Sequence, residues 1–249
     1  MTVESLKAQS RRSVRAVWRF SSSGADFFEA LFFKLISKPP FLLMELIARA
    51  VKLQVEGRER LPTGGFVLCP THRGELDPYF IRRALKDHLW RRMQNQFIYS
   101  LNAPEFVKRI FLAHWGGYIV CSEKLNLKAL RGALSALAAG SSITVFPEGF
   151  EPGRGGLYPG AAWLACQTQK PLVPLIIEAP YAFIRRGTPF FLFPFVTLFK
   201  YLKRSPKVRL VFKAPIFPDQ ASYQQDGHRY IEELTTRLGM ELGILDGGV

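Results

Sequence analysis

One short segment of the chain combines a histidine with a nearby carboxylate. Residues 70–80 read PTHRGELDPYF, which places Asp77 five residues after His72, between apolar runs typical of a strand and a helix. A carboxylate held beside an imidazole sets its tautomer and stabilises the imidazolium, so the pair is suited to taking a proton from a hydroxyl group. The same letters also fit a structural role, because an aspartate before Pro78 is a common way to begin a helix. These residues alone leave both interpretations open.

A second segment, FPEG at residues 146–149, directly follows a strand-like run. A glutamate between proline and glycine at a strand end lies on a rigid turn, where the Glu148 carboxylate can accept hydrogen bonds from a polyol. Gly149 would allow a ligand to come close to the backbone. The alternative is a tight turn that leaves Glu148 in solvent.

The rest of the chain supplies the elements that would position these two segments. From Val51 onward, short runs rich in β-branched and apolar residues alternate with stretches of helical periodicity. The alternation predicts a single α/β domain, with a mixed, mostly parallel central sheet of about seven strands flanked by helices and with functional residues at strand ends. The predicted strands are 51–56, 65–69, 96–100, 117–121, 142–146, 173–178 and 207–213, and the predicted helices are 78–93, 104–113, 125–138, 158–169 and 223–242.

The chain is strongly basic. Its 34 Lys and Arg against 20 Asp and Glu give a net charge of +14 and a pI near 10.0, so its surface should attract polyanions. Six basic residues and no acid lie in 200–213, directly after the apolar run 189–199. Apolar groups beside cations are typical of contact with an anionic membrane, and a buried element followed by a basic loop is an equal alternative. Nucleic acid is disfavoured, because no basic helix or aromatic RNA-binding motif is recognisable.

The N-terminal 50 residues form a candidate membrane-surface anchor. Apolar side chains repeat at helical spacing over 27–35 and 42–47, on either side of two prolines, which predicts two short helices. No uncharged apolar stretch reaches the roughly 18 residues that a membrane-spanning helix needs. We therefore expect an N-terminal helical segment at 1–50 and a main domain at 51–249, lying on the cytoplasmic side of a membrane. Packing of these helices on the protein's own core, and organelle targeting, remain open alternatives.

The three cysteines do not form a recognisable site. Cys69, Cys121 and Cys166 lie far apart, and none belongs to a CxxC pair. Their spacing and odd number disfavour a disulfide framework or a zinc site and favour a reducing compartment. We therefore expect no bound metal.

The two chemical segments also resemble known sequence blocks. HRGELD at 72–77, WGGYIV at 115–120, FPEG at 146–149 and VPLII at 173–177 are similar, in this order, to the four blocks of the glycerolipid acyltransferases, the group that includes lysophosphatidate acyltransferase. The resemblance implies transfer of a fatty acyl group from a thioester of coenzyme A or acyl carrier protein to a hydroxyl of a lysoglycerolipid, in phospholipid or glycerolipid synthesis. It implies no acyl-enzyme and no permanently bound cofactor.

The resemblance further implies roles for individual residues. His72 would be the general base on the acceptor hydroxyl, and Asp77 would orient its imidazole, an arrangement that typically contributes 10²–10⁴-fold in rate. Glu148 and Gly149 would bind the glycerol end of the acceptor, and Pro174 would shape the site from the next strand end. The remaining substrate-binding candidates are Phe146, Pro147, Arg73 and Arg154.

The sequence departs from the family pattern where phosphate-binding arginines are usual. Cys121 and Ser122 stand where the second block usually ends in an acid and an arginine. Phe150 and Glu151 follow FPEG in place of a small hydroxyl residue and an arginine. Serine does not reproduce the bidentate recognition of phosphate by arginine.

Different explanations of these departures remain open. In the first explanation, another cation, namely Arg73, Lys124 or Arg154, takes over the binding of the phosphate. In the second, the acceptor carries no phosphomonoester at that position. Acyltransferases of the same fold whose acceptor is a sugar, an amine or an ornithine-type lipid are a further alternative. The non-enzymatic alternative is a lipid-surface binding protein that kept the fold and lost the acceptor site.

Overall fold

The computed structural model describes most of the chain from residue 39 onward. The described residues are 39, 41–74, 76–93, 96–100, 118–120, 127–149, 156–179 and 207–245, and the backbone alone is described for 86–93, 96–100, 118–120 and 127–129. The predicted anchor helix before residue 39, the predicted helix 104–113 and the apolar run 189–199 lie outside these ranges.

Seven strands of the described chain form one sheet. They are β1 (Lys52–Glu56), β2 (Val67–Pro70), β3 (Gln96–Ser100), β4 (Tyr118–Val120), β5 (Ile143–Val145), β6 (Leu172–Glu178) and β7 (Lys207–Phe212). Their order across the sheet is β1-β7-β6-β2-β5-β3-β4, and five of the six pairings are parallel, the β6–β7 pairing being antiparallel. The prediction of a mixed, mostly parallel α/β fold is confirmed.

Helices pack on both faces of this sheet. In the described chain they are α1 (41–50), α2 (Asp77–Met93), α3 (Leu127–Ala138), α4 (Gly160–Thr168), α5 (Gln220–Gln225) and α6 (Gly227–Leu242), with a 3-10 turn at Arg58–Arg60. Successive side chains of β2 point to opposite faces of the sheet. Leu68 packs with α1 and α2, whereas Val67 and Cys69 pack with α3, α4 and α6. Burial on both faces explains why β2 is an uninterrupted apolar run.

The predicted helix 223–242 is wrong in one respect, because two helices share this segment. The break falls at Asp226, whose φ of −148° and ψ of 87° are not helical. Its carboxylate accepts a hydrogen bond from the N–H of Arg229 at 3.1 Å and so caps α6, which begins at Gly227. A short polar side chain that bonds to the backbone competes with helix continuation, and apolar periodicity does not reveal such a break.

The loops that contain HRGELD and FPEG lie at the same end of the sheet. The neighbouring strands β6, β2 and β5 are parallel, so their carboxyl ends lie on the same side. HRGELD follows β2 and FPEG follows β5, and we call this side the site end. β1 and β7 run in the opposite direction. Their first residues, Lys52 and Lys207, therefore also lie at the site end, where they are register partners and both exposed.

Helix α1 leads into β1 at the site end and is apolar on two sides. Phe41, Met44 and Ile47 are buried in the core shared with α2 and the sheet. Leu42 and Leu46 are instead 59% and 54% exposed. The periodicity expected for 42–47 thus belongs to a helix that packs on the protein's own core and still presents apolar side chains outward.

An arginine of α2 ties α1 to the domain. The guanidinium of Arg83 donates hydrogen bonds to the carbonyls of Ala48 and Val51, where α1 ends. Burial, with the nearby charge of Arg49, lowers the pKa of Arg83. None of the helices in the described ranges is long and apolar enough to cross a membrane.

Candidate active site

His72 and Asp77 are held together just beyond the end of β2. Nδ1 of the His72 imidazole lies 2.9 Å from Oδ2 of Asp77. The Asp77 side chain is fully buried, whereas 18% of the His72 side chain is exposed. Because the carboxylate occupies Nδ1, Nε2 is the ring nitrogen that can act on a substrate.

The same carboxylate oxygen organises the loop between the two residues. Oδ2 of Asp77 also accepts hydrogen bonds from the backbone N–H groups of Arg73 at 2.7 Å and Gly74 at 2.9 Å. These donors precede α2, whereas a capping side chain would accept from N–H groups inside the first helical turn. The described contacts of Asp77 therefore favour orientation of the imidazole over the helix-capping alternative.

Glu148 joins the two segments. Its Oε1 accepts a hydrogen bond from the backbone N–H of His72 at 2.8 Å, across 76 residues of sequence. Glu148 is only 6% exposed, so the alternative of a solvated turn glutamate is wrong. HRGELD and FPEG meet at the site end because they follow neighbouring parallel strands.

The FPEG turn also provides a wall for the imidazole. The ring centroids of Phe146 and His72 are 4.7 Å apart, and the ring planes are inclined by 42°. The N–H of Gly149 donates to the carbonyl of Phe146 at 3.1 Å and closes the turn. The carbonyl of the buried Pro147 accepts a hydrogen bond from the N–H of Tyr158 at 2.8 Å. A tilted aromatic neighbour packs favourably on the imidazole and restricts its rotation.

Tyr158 is a neighbour of the site that no sequence pattern marked. Its ring lies over Gly149, so closely that a Cβ at this position would be 2.5 Å from Cε2 of Tyr158. Gly149 has φ of 68°, in the region that favours glycine. The space beside this glycine that sequence reasoning assigned to a ligand thus holds an aromatic side chain, which is itself 66% exposed.

The end of β6 holds the other side of the loop that contains His72. The buried hydroxyl of Thr71 accepts a hydrogen bond from the N–H of Ile177 at 2.8 Å. Nε of Arg73 donates to the carbonyl of the same residue at 3.2 Å. Arg73, a candidate phosphate ligand, is therefore also a structural link between two strand ends.

Other predicted residues lie further inside the fold. Pro174 is buried within β6, in register with Cys69, rather than at the strand end.

Cys69 and Cys166 are buried free thiols. Burial raises the pKa of Cys69 and raises that of Cys166 to about 11, so neither is a nucleophile near neutral pH. No group of three or more His, Cys, Asp or Glu in the described ranges is placed to hold a metal ion. Arg154, Lys124 and Cys121 lie outside the described residues.

Comparison with known proteins places this arrangement in a family. The acyltransferase family model matches residues 52–178, more than half of the chain. The chain therefore belongs to the acyltransferase family, which confirms the family resemblance of the four sequence blocks at that level. Among solved structures, the chain is similar to the 1-acyl-sn-glycerophosphate (LPA) acyltransferase PlsC from Thermotoga maritima, with 20% identity and a TM-score of 0.48, over 99% of this chain and 98% of that one. No curated protein matches the sequence.

Proposed function

We propose that the protein is an O-acyltransferase that moves a fatty acyl group from a thioester to a hydroxyl of a lysoglycerolipid. The donor would be acyl-coenzyme A or acyl carrier protein. The observation that carries the proposal is the 2.9 Å contact between Nδ1 of His72 and the buried carboxylate of Asp77, beside the FPEG turn of an acyltransferase-family domain. This pair is equipped for the step that acyl transfer to an alcohol requires, because an unactivated hydroxyl is a poor nucleophile near neutral pH.

In the proposed reaction, Nε2 of His72 removes the proton from the acceptor hydroxyl while its oxygen attacks the thioester carbonyl. Asp77 holds the Nδ1 proton and stabilises the imidazolium. The attack forms the new C–O bond and leaves an oxyanion; collapse of this tetrahedral intermediate re-forms the carbonyl C=O and breaks the C–S bond, and the sulfur leaves as a thiol with the proton from His72. No acyl-enzyme is needed, because the thioester is already activated.

The acceptor we propose is a lysophosphatidate-like lipid. Arg73 is adjacent to the base and uses Nε to bond to Ile177. This geometry leaves its Nη1 and Nη2 groups to meet a phosphate in the bidentate manner of arginine. An acceptor without a phosphomonoester is the alternative that fits the serine at position 122.

We further propose that the protein lies on an anionic membrane on the cytoplasmic side, with the site end toward the lipid. Leu42 and Leu46 are exposed on the helix that leads into that end, and Lys52 and Lys207 are exposed at the end itself. Like charges directly opposite each other on neighbouring strands are unfavourable, and an anionic surface would offset their repulsion. Apolar side chains beside cations suit the boundary between headgroups and acyl chains.

The test measures release of free thiol from oleoyl-coenzyme A and from oleoyl acyl carrier protein by the purified full chain, with a panel of lysolipids. We expect His72→Ala to lower the rate roughly 10²–10⁴-fold while the protein stays folded, which a cooperative thermal unfolding transition would show. His228→Ala is the matched control, because His228 also has a carboxylate nearby, Glu232 at 3.5 Å, but its side chain is 88% exposed on α6.

Two outcomes would contradict the proposal. Undiminished turnover by His72→Ala would remove the role of this residue as the base. No thiol release by the wild type with any acceptor would favour the lipid-surface binding protein. Where release occurs, incubation with total membrane lipid followed by mass spectrometry identifies which lipid class gains a chain.

A further inference from the structure

Glu148 is bonded in a way that its expected role does not explain. The family resemblance assigns this residue to the hydroxyls of the acceptor. In the structure, Glu148 is 6% exposed, and its Oε1 accepts a hydrogen bond from the backbone N–H of His72 at 2.8 Å. A residue that only binds the acceptor lipid does not require a hydrogen bond to the backbone of His72.

The loop around His72 is anchored to both neighbouring strand ends. On the β6 side, Thr71 and Arg73 bond to the N–H and the carbonyl of Ile177. On the β5 side, Glu148 bonds to the backbone of His72 itself. Since Asp77 holds the ring through Nδ1, the main chain and the side chain of His72 are fixed by separate carboxylates.

We propose that Glu148 is a positioning residue that fixes the backbone of His72 and thereby the place of Nε2, an inference that rests on the proposed acyl transfer. A hydrogen bond to an ionised carboxylate is among the stronger ones, and its removal leaves the partly buried N–H without this acceptor. Displacement of a catalytic group by about 1 Å lowers the rate by about 10²-fold.

The two roles of Glu148 predict different kinetics. A positioning residue that does not touch the acceptor affects kcat and leaves the KM of the acceptor unchanged. Loss of a ligand that binds the ground state and the transition state equally raises KM instead. The amide of glutamine keeps an oxygen that can accept the N–H of His72, so Glu148→Gln should preserve positioning.

The kinetic test compares Glu148→Ala and Glu148→Gln with the wild type and with Glu178→Ala. Glu178 is the matched control, because it is an exposed carboxylate at the end of β6 whose described partner is Arg209. We expect Glu148→Ala to lose about 10²-fold in kcat with the acceptor KM within about twofold of wild type. Glu148→Gln should keep more than about a tenth of the wild-type kcat, and Glu178→Ala should equal wild type.

Two kinetic results would overturn the proposal. One is a rise in acceptor KM of about tenfold or more with unchanged kcat in Glu148→Ala, and the other is Glu148→Gln as impaired as Glu148→Ala. If thermal unfolding shows that Glu148→Ala does not fold, Glu148→Asp replaces it, because the shorter side chain cannot span the same distance from the turn. The expected kinetics are then the same as for the alanine variant.

Amide hydrogen exchange separates this inference from the proposed function. The chain has four histidines, so ¹⁵N-histidine labelling gives few amide signals, and that of His72 is identified by its absence in His72→Ala. We expect this amide to exchange at least about tenfold faster in Glu148→Ala than in the wild type or Glu148→Gln. Unchanged exchange in Glu148→Ala overturns the inference, with or without thiol release. A wild type that releases no thiol refutes acyl transfer, while the exchange still tests the contact.

Discussion

Two clusters of charged side chains in this sheet have similar bond lengths and very different surroundings. At the site end, His72 contacts Asp77 at 2.9 Å and Glu148 at 2.8 Å, and both acids are at most 6% exposed. In a second cluster, the outer cluster, which spans β1, β7 and β6, Arg209 bonds to Glu56 at 2.7 Å and to Glu178 at 3.0 Å, but these three side chains are between 41% and 51% exposed.

The difference shows that distance alone does not identify a functional cluster. The two acids beside His72 are buried and bonded to the main chain of one loop, so their loss leaves buried and partly buried N–H donors unpaired. In the outer cluster, Arg209 holds the pKa of Glu56 below its usual range, and the two carboxylates raise the pKa of Arg209. Water screens these charges, and exposed pairs of this kind contribute little to stability.

The largest effect is expected in the buried cluster, from Asp77→Asn. Its amide oxygen can still accept the N–H groups of Arg73 and Gly74, but a neutral side chain does not stabilise the imidazolium. We expect thiol release to fall roughly 10²–10⁴-fold with little change in stability. Asp77→Ala also leaves the two N–H groups unpaired and should lower the free energy of unfolding, measured with urea, by about 2–4 kcal/mol. Equal stability of the two variants would contradict this account.

The next effect is expected at the first residues of β1 and β7, the two strands that run opposite to β6, β2 and β5. It tests whether these residues bind a membrane surface. Each lysine near an anionic bilayer contributes about 1 kcal/mol, so Lys52→Gln combined with Lys207→Gln should weaken binding to phosphatidylglycerol-containing vesicles roughly thirtyfold at low salt. The measurement is co-sedimentation with vesicles. Lys170→Gln combined with Lys213→Gln, at the opposite end of the sheet, is the matched control. Equal weakening by both pairs would mean that net charge rather than the site end determines binding.

A smaller loss is expected at the FPEG turn from Gly149→Ala. A left-handed φ of 68° disfavours alanine by about 1–2 kcal/mol, and the added methyl group also meets the ring of Tyr158. The double variant with Tyr158→Ala should recover the steric part of the loss and retain the backbone part. Urea unfolding of the single and double variants separates the two contributions. A neutral Gly149→Ala would show that the turn accommodates the side chain by rearranging.

The smallest effect is expected from Arg209→Met in the exposed cluster, with thiol release unchanged. Because the pKa of Glu56 is lowered in the folded protein, the stability it contributes is present above its ordinary pKa of 4.5 and is lost as the pH falls through the lowered value. Thermal unfolding of wild type and Arg209→Met should therefore differ slightly at neutral pH and converge below pH 4.5. A large, pH-independent difference would mean that the outer cluster is structural.

Much of the fold was predictable from local patterns. The apolar, β-branched run 173–178 is β6, and the run 207–213 is β7, because strand propensity and burial both act on neighbouring residues. The break at Asp226 was not predictable from periodicity, since it depends on one side chain bonding to the backbone. The contact of Tyr158 with Gly149 was not predictable either, because nothing in the local sequence indicates that the chain returns to place this ring over the glycine.

By itself, the sequence determined the alternation of strands and helices, the family, and the two segments proposed to carry the chemistry, because all three depend on residue type and short spacing. Only the tertiary structure decided that β2 lies between β5 and β6. That strand order brings Glu148 to the backbone of His72 across 76 residues. Because of this contact, we propose that Glu148 positions the base, whereas the sequence predicted a substrate ligand. The physical reason is that strand neighbours are chosen by packing of the whole core, about which a four-residue motif carries no information.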